Sequence, residues 1–334
     1  MYLKGENIQM GIGGSSAAAR TVAVAPSIWV PGISPSGIKV VVDKVLIKET
    51  RGVGVMSTGS EIVGKRAEGD LEFNIRSISI GWILRSLFGA STSVAKIAPN
   101  TSVYDHTFTV DAGNPQHPAL TLALSQPNIQ DYEYPLAIVN KLEIKTPIKE
   151  LVRAKASFIA TGENEHAAYT PSNNSADSYF RHTDIVIKIA STVAGLAGAT
   201  ALKLKEFNLS INNNSKPNQN IGEMNASDVL SYIMEIGGSM TIDYQAKTYH
   251  DIFVAGTYQA MSITLTRSDV TIGTSANPTI VITMPRVSFE NLDPDRSADD
   301  KVSEGIDFTA HYDATTSKAI DVVLTNTTTT YTVA

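Results

Sequence analysis

The chain contains no cysteine. That excludes a disulfide framework, a thiolate metal site and a cysteine nucleophile, and it suits synthesis in a reducing cytosol. Charge is sparse as well. Only 18% of residues are Asp, Glu, Lys or Arg, below the usual ~25%; Ser, Thr and Asn take their place, which suits β-structure with polar turns. Long apolar runs are missing. "TVAVAPSIWVPGI" and "ASTVAGLAGATAL" both fall short of the ~20 residues that a membrane-spanning helix needs, so no membrane partner is expected. The opening "MYLKGENIQ" has no apolar core of the kind a secretory signal carries, so none is expected.

A basic surface is also lacking. Net charge is −6 and uneven: residues 1–166 hold 16 Lys and Arg against 15 Asp and Glu, or +1, while residues 167–334 hold 11 against 18, or −7. Gripping nucleic acid calls for a basic stripe, and an acidic surface repels phosphates instead.

No motif nominates a catalytic centre. Among His106, His117, His166, His182, His250 and His311 no pair has the helical i, i+4 spacing of a zinc site. "GIGGSS" (11–16) lacks the spacing of a phosphate-binding loop, and no GxSxG presents a serine. Asp293, Asp295, Asp299 and Asp300 crowd "DPDRSADD" without the Gly and Glu of a calcium loop, so they read as a solvated acidic loop. Trp29 and Trp82 read first as core residues and second as sugar-stacking platforms. The chain is expected to be no enzyme and to need no cofactor or metal.

What is present is period-two alternation. "DLEFNI" sets Leu71, Phe73 and Ile75 against Asp70, Glu72 and Asn74. "KEFNLSI" sets Phe207, Leu209 and Ile211 against Glu206, Asn208 and Ser210, and "GSMTIDY" and "GIDFTAHY" repeat the theme. One face packs and the other meets solvent, which argues for antiparallel sheets. Behind the first of these strands lies "SIGWILRSLFGA". There Ile80, Ile83, Leu84, Leu87 and Phe88 form a core-facing helical stripe, and Gly89 is a natural stop.

The same order then recurs. Strand 42–49, a polar excursion "TRGVGVMSTGSEIVGK", strand 67–76 and a short helix precede several strands. In the second half, strand 202–211, the excursion "NNNSKPNQNIGEMNAS", strand "YIMEIGGSMTIDY", the helical "QAKTYHDIFVAG" and further strands follow in that order. The expected fold is mainly β, with two tandem antiparallel β-sandwich modules, each with a short flanking helix. The expected division is an extended arm over 1–35, a first module over 36–163, a linker over 164–180 rich in Asn, Ser and Ala, and a second module over 181–334. The tail "TNTTTTYTV" reads as a last edge strand. Val53, Val55, Met56 and Ile62 are apolar within the first excursion, a segment otherwise built for solvent, so that loop is expected to dock on a neighbour.

Four stretches together resemble the tail tube proteins of long-tailed bacteriophages, in particular the larger type with two tandem tube modules. They are the arm "GIGGSSAAARTVAVAPSIWVPGISPSG", the strand and loop "VLIKETRGVG", the strand and helix "GKRAEGDLEFNIRSISIGWILRSLFGA", and "MPRVSFENLDPDRSADDKVSEGIDFTAHYD" near the end. The resemblance implies a structural virion protein, assembled in the bacterial host cytoplasm. It implies three-chain rings imitating six modules, stacked into a hollow tube, with the sheets of neighbouring modules joined into a continuous inner β-barrel. It further implies a lumen that conducts DNA during ejection and holds a tape measure protein, both without sequence-specific binding, and tail terminator and tail tip proteins as partners. The doubled modules point to a flexible, siphovirus-like tail. Two other readings compete. A β-sandwich adhesin or carbohydrate-binding module needs an exposed aromatic platform, and a hydrolase on a β scaffold needs clustered carboxylates or histidines in a cleft.

Overall fold

The computed structural model describes residues 4–15, 20, 22–33, 37–50, 57–244, 247–295 and 302–331. The first half holds β1 (Gln9–Gly14), β2 (Ile28–Val30), β3 (Lys39–Lys48), β4 (Ser57–Asn74), α1 (Ile80–Phe88), β5 (Gly89–Ala95), β6 (Tyr104–Val110), β7 (Leu120–Ser125), β8 (Asp131–Thr146), β9 (Arg153–Ala160) and β10 (Asn164–His166). The second half holds β11 (Ile185–Ala190), β12 (Leu204–Asn212), β13 (Lys216–Asn218), β14 (Asp228–Leu230), β15 (Glu235–Asp243), α2 (Thr248–Ala255), β16 (Gln259–Thr266), β17 (Thr279–Asp295), β18 (Ser303–Ala310) and β19 (Asp321–Asn326). The fold is mainly β, and every strand pairing between these elements is antiparallel.

Eight strands form one long sheet in the order β3-β4-β9-β8-β12-β15-β18-β17. Two shorter sheets, β2-β1-β7-β8-β10 and β11-β16-β17-β19-β6-β5, and the separate β13–β14 hairpin complete the architecture. The strands β8 and β17 each belong to two sheets. β8 pairs with β7 and β10 through its first residues and with β9 and β12 through its last. Its backbone turns at Leu136, where φ is 50, a left-handed value that costs a branched side chain energy and persists only where its surroundings hold it.

The halves repeat each other in pairing as well as in order. β3–β4, β4–β9, β8–β9, β7–β8, β1–β7 and β10–β8 in the first half are matched by β12–β15, β15–β18, β17–β18, β16–β17, β11–β16 and β19–β17 in the second. Even the irregularities coincide. The β8–β9 ladder skips Asn140 and the β17–β18 ladder skips Glu290, each one residue past a pair with a phenylalanine, Val139 with Phe158 and Phe289 with Phe308. Such a β-bulge adds a residue to one strand and re-aims it.

The inward faces of the sheets meet in one large core cluster, beside a small second one of Ala119, Leu136, Ile138 and Val229. Leu71, Phe73 and Ile75 are buried, as are Phe207, Leu209 and Ile211, so the alternating faces are oriented as their sequence demands. The stripe Ile80, Ile83, Leu84, Leu87 and Phe88 is buried too, but α1 is buried on every side, Trp82, Arg85 and Ser86 included. The reason is that β6, β8 and the chain near Tyr331 enclose it. Gly89 stops the helix at φ 85 with its N–H bonded to the Arg85 carbonyl. α2 is not buried at any position.

Several expectations need correcting. The first excursion is not a loop throughout: residues 57–65 belong to β4 and pair with β3, because "STGSEIVGK" can alternate as well as turn. The second contains the β13–β14 hairpin. Residues 293–295 of the acidic stretch are strand, paired with β18, while Asp299 and Asp300 lie outside the described residues. The glycines of "GIGGSS", which the sequence already reads as no phosphate loop, are part of β1: a Cβ on Gly13 would stand 2.6 Å from the Val24 and Ala25 carbonyl oxygens. Of the tail "TNTTTTYTV" only Thr325 and Asn326 are strand among the described residues, at the end of β19, which is no edge because it lies between β17 and β6. The 164–180 segment carries β10 and the buried Asp177 and Phe180.

Candidate functional site

Among the described residues no group of three or more His, Asp or Glu could hold a metal ion. Trp29 and Trp82 are 7% and 8% exposed, so neither offers the platform that a sugar-binding reading requires. The features with functional content belong to the long sheet: its internal junction, its two ends and its polar face.

The junction is the pairing of β8 with β12, which carries the first half into the second. Leu142 faces Ile211 and Glu143 faces Ser210. Both members of the apolar pair are buried, so the junction is a core contact as well as a ladder of hydrogen bonds. Near its end the Asn213 N–H donates to the Asn140 carbonyl at 2.7 Å, and the Ser215 N–H donates to the Asn140 Oδ1 at 2.7 Å.

The ends are unmatched. No strand pairs with the outer side of β3, and none with the outer side of β17 beyond Val287, among the described residues. Open edges offer unpaired N–H and C=O groups and invite another strand. The two edges differ in charge. β3 presents Lys39, Lys44 and Lys48 with a single carboxylate, Asp43, which is bonded to Arg66 of β4 at 2.5 Å. β17 presents Glu290 and Asp293 beside Asp307 of β18.

β3 and β4 also run on past the body. From Lys44 outward their residues are exposed or half-exposed, with Val45 at 54%, Leu46 at 57%, Ile62 at 41% and Val63 at 49%. A two-stranded ribbon is marginal alone in water, so an arm with aliphatic side chains on both faces gains by being covered. Of the residues expected to dock on a neighbour, Ile62 lies in this arm, opposite Lys44. Val53, Val55 and Met56 lie outside the described residues.

The polar face of the long sheet changes character along its length. In the first half, opposite charges alternate: Lys155 Nζ lies 2.8 Å from Asp70, and Lys141 and Lys145 flank Glu143 at 2.6 and 3.8 Å. The hydrogen bond from Lys141 holds the Glu143 carboxyl below its ordinary pKa. Burial works to raise that of Asp70, but the hydrogen bonds from Lys155 and Ser157 outweigh it and leave it low. In the second half the face carries Glu206, Asp243, Asp293 and Asp307, with Lys205 3.4 Å from Asp243.

A buried polar network ties the C-terminal segment to α1. Asp177 accepts from the Ile78 and Ser79 N–H groups at 2.6 and 3.2 Å, satisfying donors at the helix start; burial raises its pKa. Asn326 Nδ2 donates to the Ser77 carbonyl and to the Tyr331 hydroxyl, both at 2.7 Å. His106 joins Ser93 Oγ through Nδ1 at 2.7 Å and Asn326 Oδ1 through Nε2 at 3.1 Å. The carboxamide oxygen can only accept, so Nε2 carries the proton, and burial lowers the imidazole pKa. None of these partners stands out in the sequence, because period and composition reveal faces and not neighbours.

A comparison with curated proteins finds no match. A family model described as "Phage tail tube protein" matches residues 41–329. That span takes in both halves, the junction between them and nearly all of both sheet edges, so the chain belongs to the phage tail tube protein family.

Proposed function

We propose that this chain is a structural, non-enzymatic virion protein that closes into rings through the edges of its long sheet. The observation that carries the reading is the β8–β12 junction, because it is a worked example of one repeat joining the next. The same kind of contact between copies would leave neither end exposed. Two repeats per chain make a ring of three copies a six-repeat ring, and eight strands from each of three copies give a barrel of about 24 strands whose diameter grows with that number. Among the described residues one chain alone forms no closed barrel.

Stacking of rings, a head-to-tail contact that does not close, then yields a tube. The β3–β4 arm is suited to this contact, with Ile62 in it and Val53, Val55 and Met56 in the segment that joins its strands. The polar face of the long sheet lines the bore. It pairs its lysines with carboxylates in the first half and is acidic in the second, so it offers DNA few cationic contacts and lets it slide. A tape measure protein would share the bore, with terminator and tip proteins at the ends, in a tail assembled in the host cytoplasm.

Electron microscopy of the purified chain tests this. Uniform hollow rings or tubes are expected; a monomer at all ionic strengths and protein concentrations would overturn the reading. Deleting residues 52–62 should leave rings and prevent tubes, and tubes of unchanged length would remove the arm from the stacking contact.

A further inference from the structure

The internal repeat also fixes how one copy would meet the next, residue by residue; this inference rests on the ring reading above. Gly69 of β4 faces Phe158 of β9, and Gly238 of β15 faces Phe308 of β18. These pairs align the halves. On one side, the bulges at Asn140 and Glu290 then coincide, and Lys141, Leu142 and Glu143 correspond to Asn291, Leu292 and Asp293. On the other side, Gly237 and Ile236 face Ser210 and Ile211, while the equivalent Glu68 and Ala67 face Lys39 and Val40. Lys39 and Val40 therefore stand in the place of Ser210 and Ile211.

Within the chain Leu142 meets Ile211 and Glu143 meets Ser210. Carrying that register across copies, we infer that β17 of one copy pairs antiparallel with β3 of the next so that Leu292 faces Val40 and Asp293 faces Lys39. Two features that played no part in the alignment agree with it. The apolar pair of the junction is replaced by an apolar pair, and the polar pair Glu143–Ser210 by one of opposite charge, which is favourable directly across a ladder. Further along, Lys44 takes the place of Ser215, whose backbone donates to Asn140. The equivalent of Asn140 is Glu290, so a second lysine approaches a second carboxylate.

A third observation comes from beside the bulge. In the first half Ala119, Leu136 and Ile138 are buried under Val229 of β14. Their counterparts, by the same alignment, are Tyr258, Arg286 and Ser288. Tyr258 is 46% exposed, with the Arg286 guanidinium 3.8 Å above its ring, and Ser288 Oγ lies 2.6 Å from His311 Nε2. Among the described residues this polar patch is only partly covered, with Tyr258 exposed and Arg286 and Ser288 half-exposed, and the β3–β4 arm of the next copy would arrive there.

Because the chain has no cysteine, paired substitutions report the register directly. Residues directly opposite in a ladder bring their Cβ atoms within ~4.5–5.5 Å, while a two-residue offset separates them by ~7–8 Å. Asp293→Cys with Lys39→Cys in one chain should give, on mild oxidation of assembled rings, a covalently closed trimer on a denaturing gel. Asp293→Cys with Val41→Cys should give little. In parallel, Lys39→Glu or Asp293→Lys alone should abolish rings while each monomer stays folded by circular dichroism, and the two together should restore them. Rings that cross-link in the shifted pair, in neither pair, or that are indifferent to the charge reversals would overturn the register and leave the ring reading standing. Failure of the unaltered chain to form rings would overturn that reading itself.

Discussion

The Tyr331 hydroxyl donates to the carbonyl oxygen of Ile78 at 2.7 Å, across 253 residues of sequence. The same ring lies edge-on to Trp82 at 5.4 Å. It fills the space left by Gly81, where a Cβ would come within 2.1 Å of Cζ. One side chain near the C-terminus thus completes the packing around α1, the only fully buried α-helix among the described residues.

Tyr331→Ala should therefore destabilise the chain by about 3–5 kcal/mol, the range for deleting a buried aromatic. Gly81→Ala should cost at least ~1–3 kcal/mol by overpacking against the same ring. Chemical denaturation monitored by tryptophan fluorescence measures both, and a change near zero for either would show the contact to be slack.

Asp177→Ala removes the acceptor for two N–H groups at the start of α1. Loss of such a cap costs about 0.5–2 kcal/mol, and Asp177→Asn, which keeps one oxygen, should recover part of it. Equal stability of both variants with the parent would show that other groups satisfy those donors.

His106 makes stability depend on pH. Burial lowers its folded pKa below the ordinary value of 6.5, so the unfolded chain binds the proton more readily. Stability from this group is complete above pH ~6.5 and falls as pH drops through that value toward the folded pKa. His117, also lowered by burial, adds in the same direction. Melting temperature should decline from pH 7 to pH 5, and His106→Gln, though less stable at pH 7, should show a shallower decline. A slope unchanged by the substitution would assign the dependence elsewhere.

In the projecting arm, Val45→Ser with Ile62→Ser should alter monomer stability by no more than ~0.5 kcal/mol, as expected of exposed positions. Tubes should nonetheless be shorter at equal concentration. Length distributions by electron microscopy, alongside the melting curve, separate the two effects.

Much of the fold was legible in short-range pattern. The alternation of Leu71, Phe73 and Ile75 and the stripe from Ile80 to Phe88 each reported a face to be buried, because periodicity is a property of the segment itself. The repeat showed itself as an order of elements. What stayed hidden depends on partners. Period two cannot say that Val322 pairs with Phe108 and not with an edge. Asn140 interrupts the alternation of β8, yet a bulge and a turn look alike in one sequence. The open edges were hidden for the same reason: Lys39 and Asp293 are ordinary charged residues until the ladders place them at opposite ends of one sheet.

The insertion of β19 between β17 and β6 has a consequence for timing. During translation β6 emerges long before β19, the strand that will lie against it, and α1 must wait for Asn326 and Tyr331. The earlier half of the polypeptide stays unfinished on the ribosome even after its own strands have been made. A growing chain would thus reach its full packing only after β19 and Tyr331 have been made.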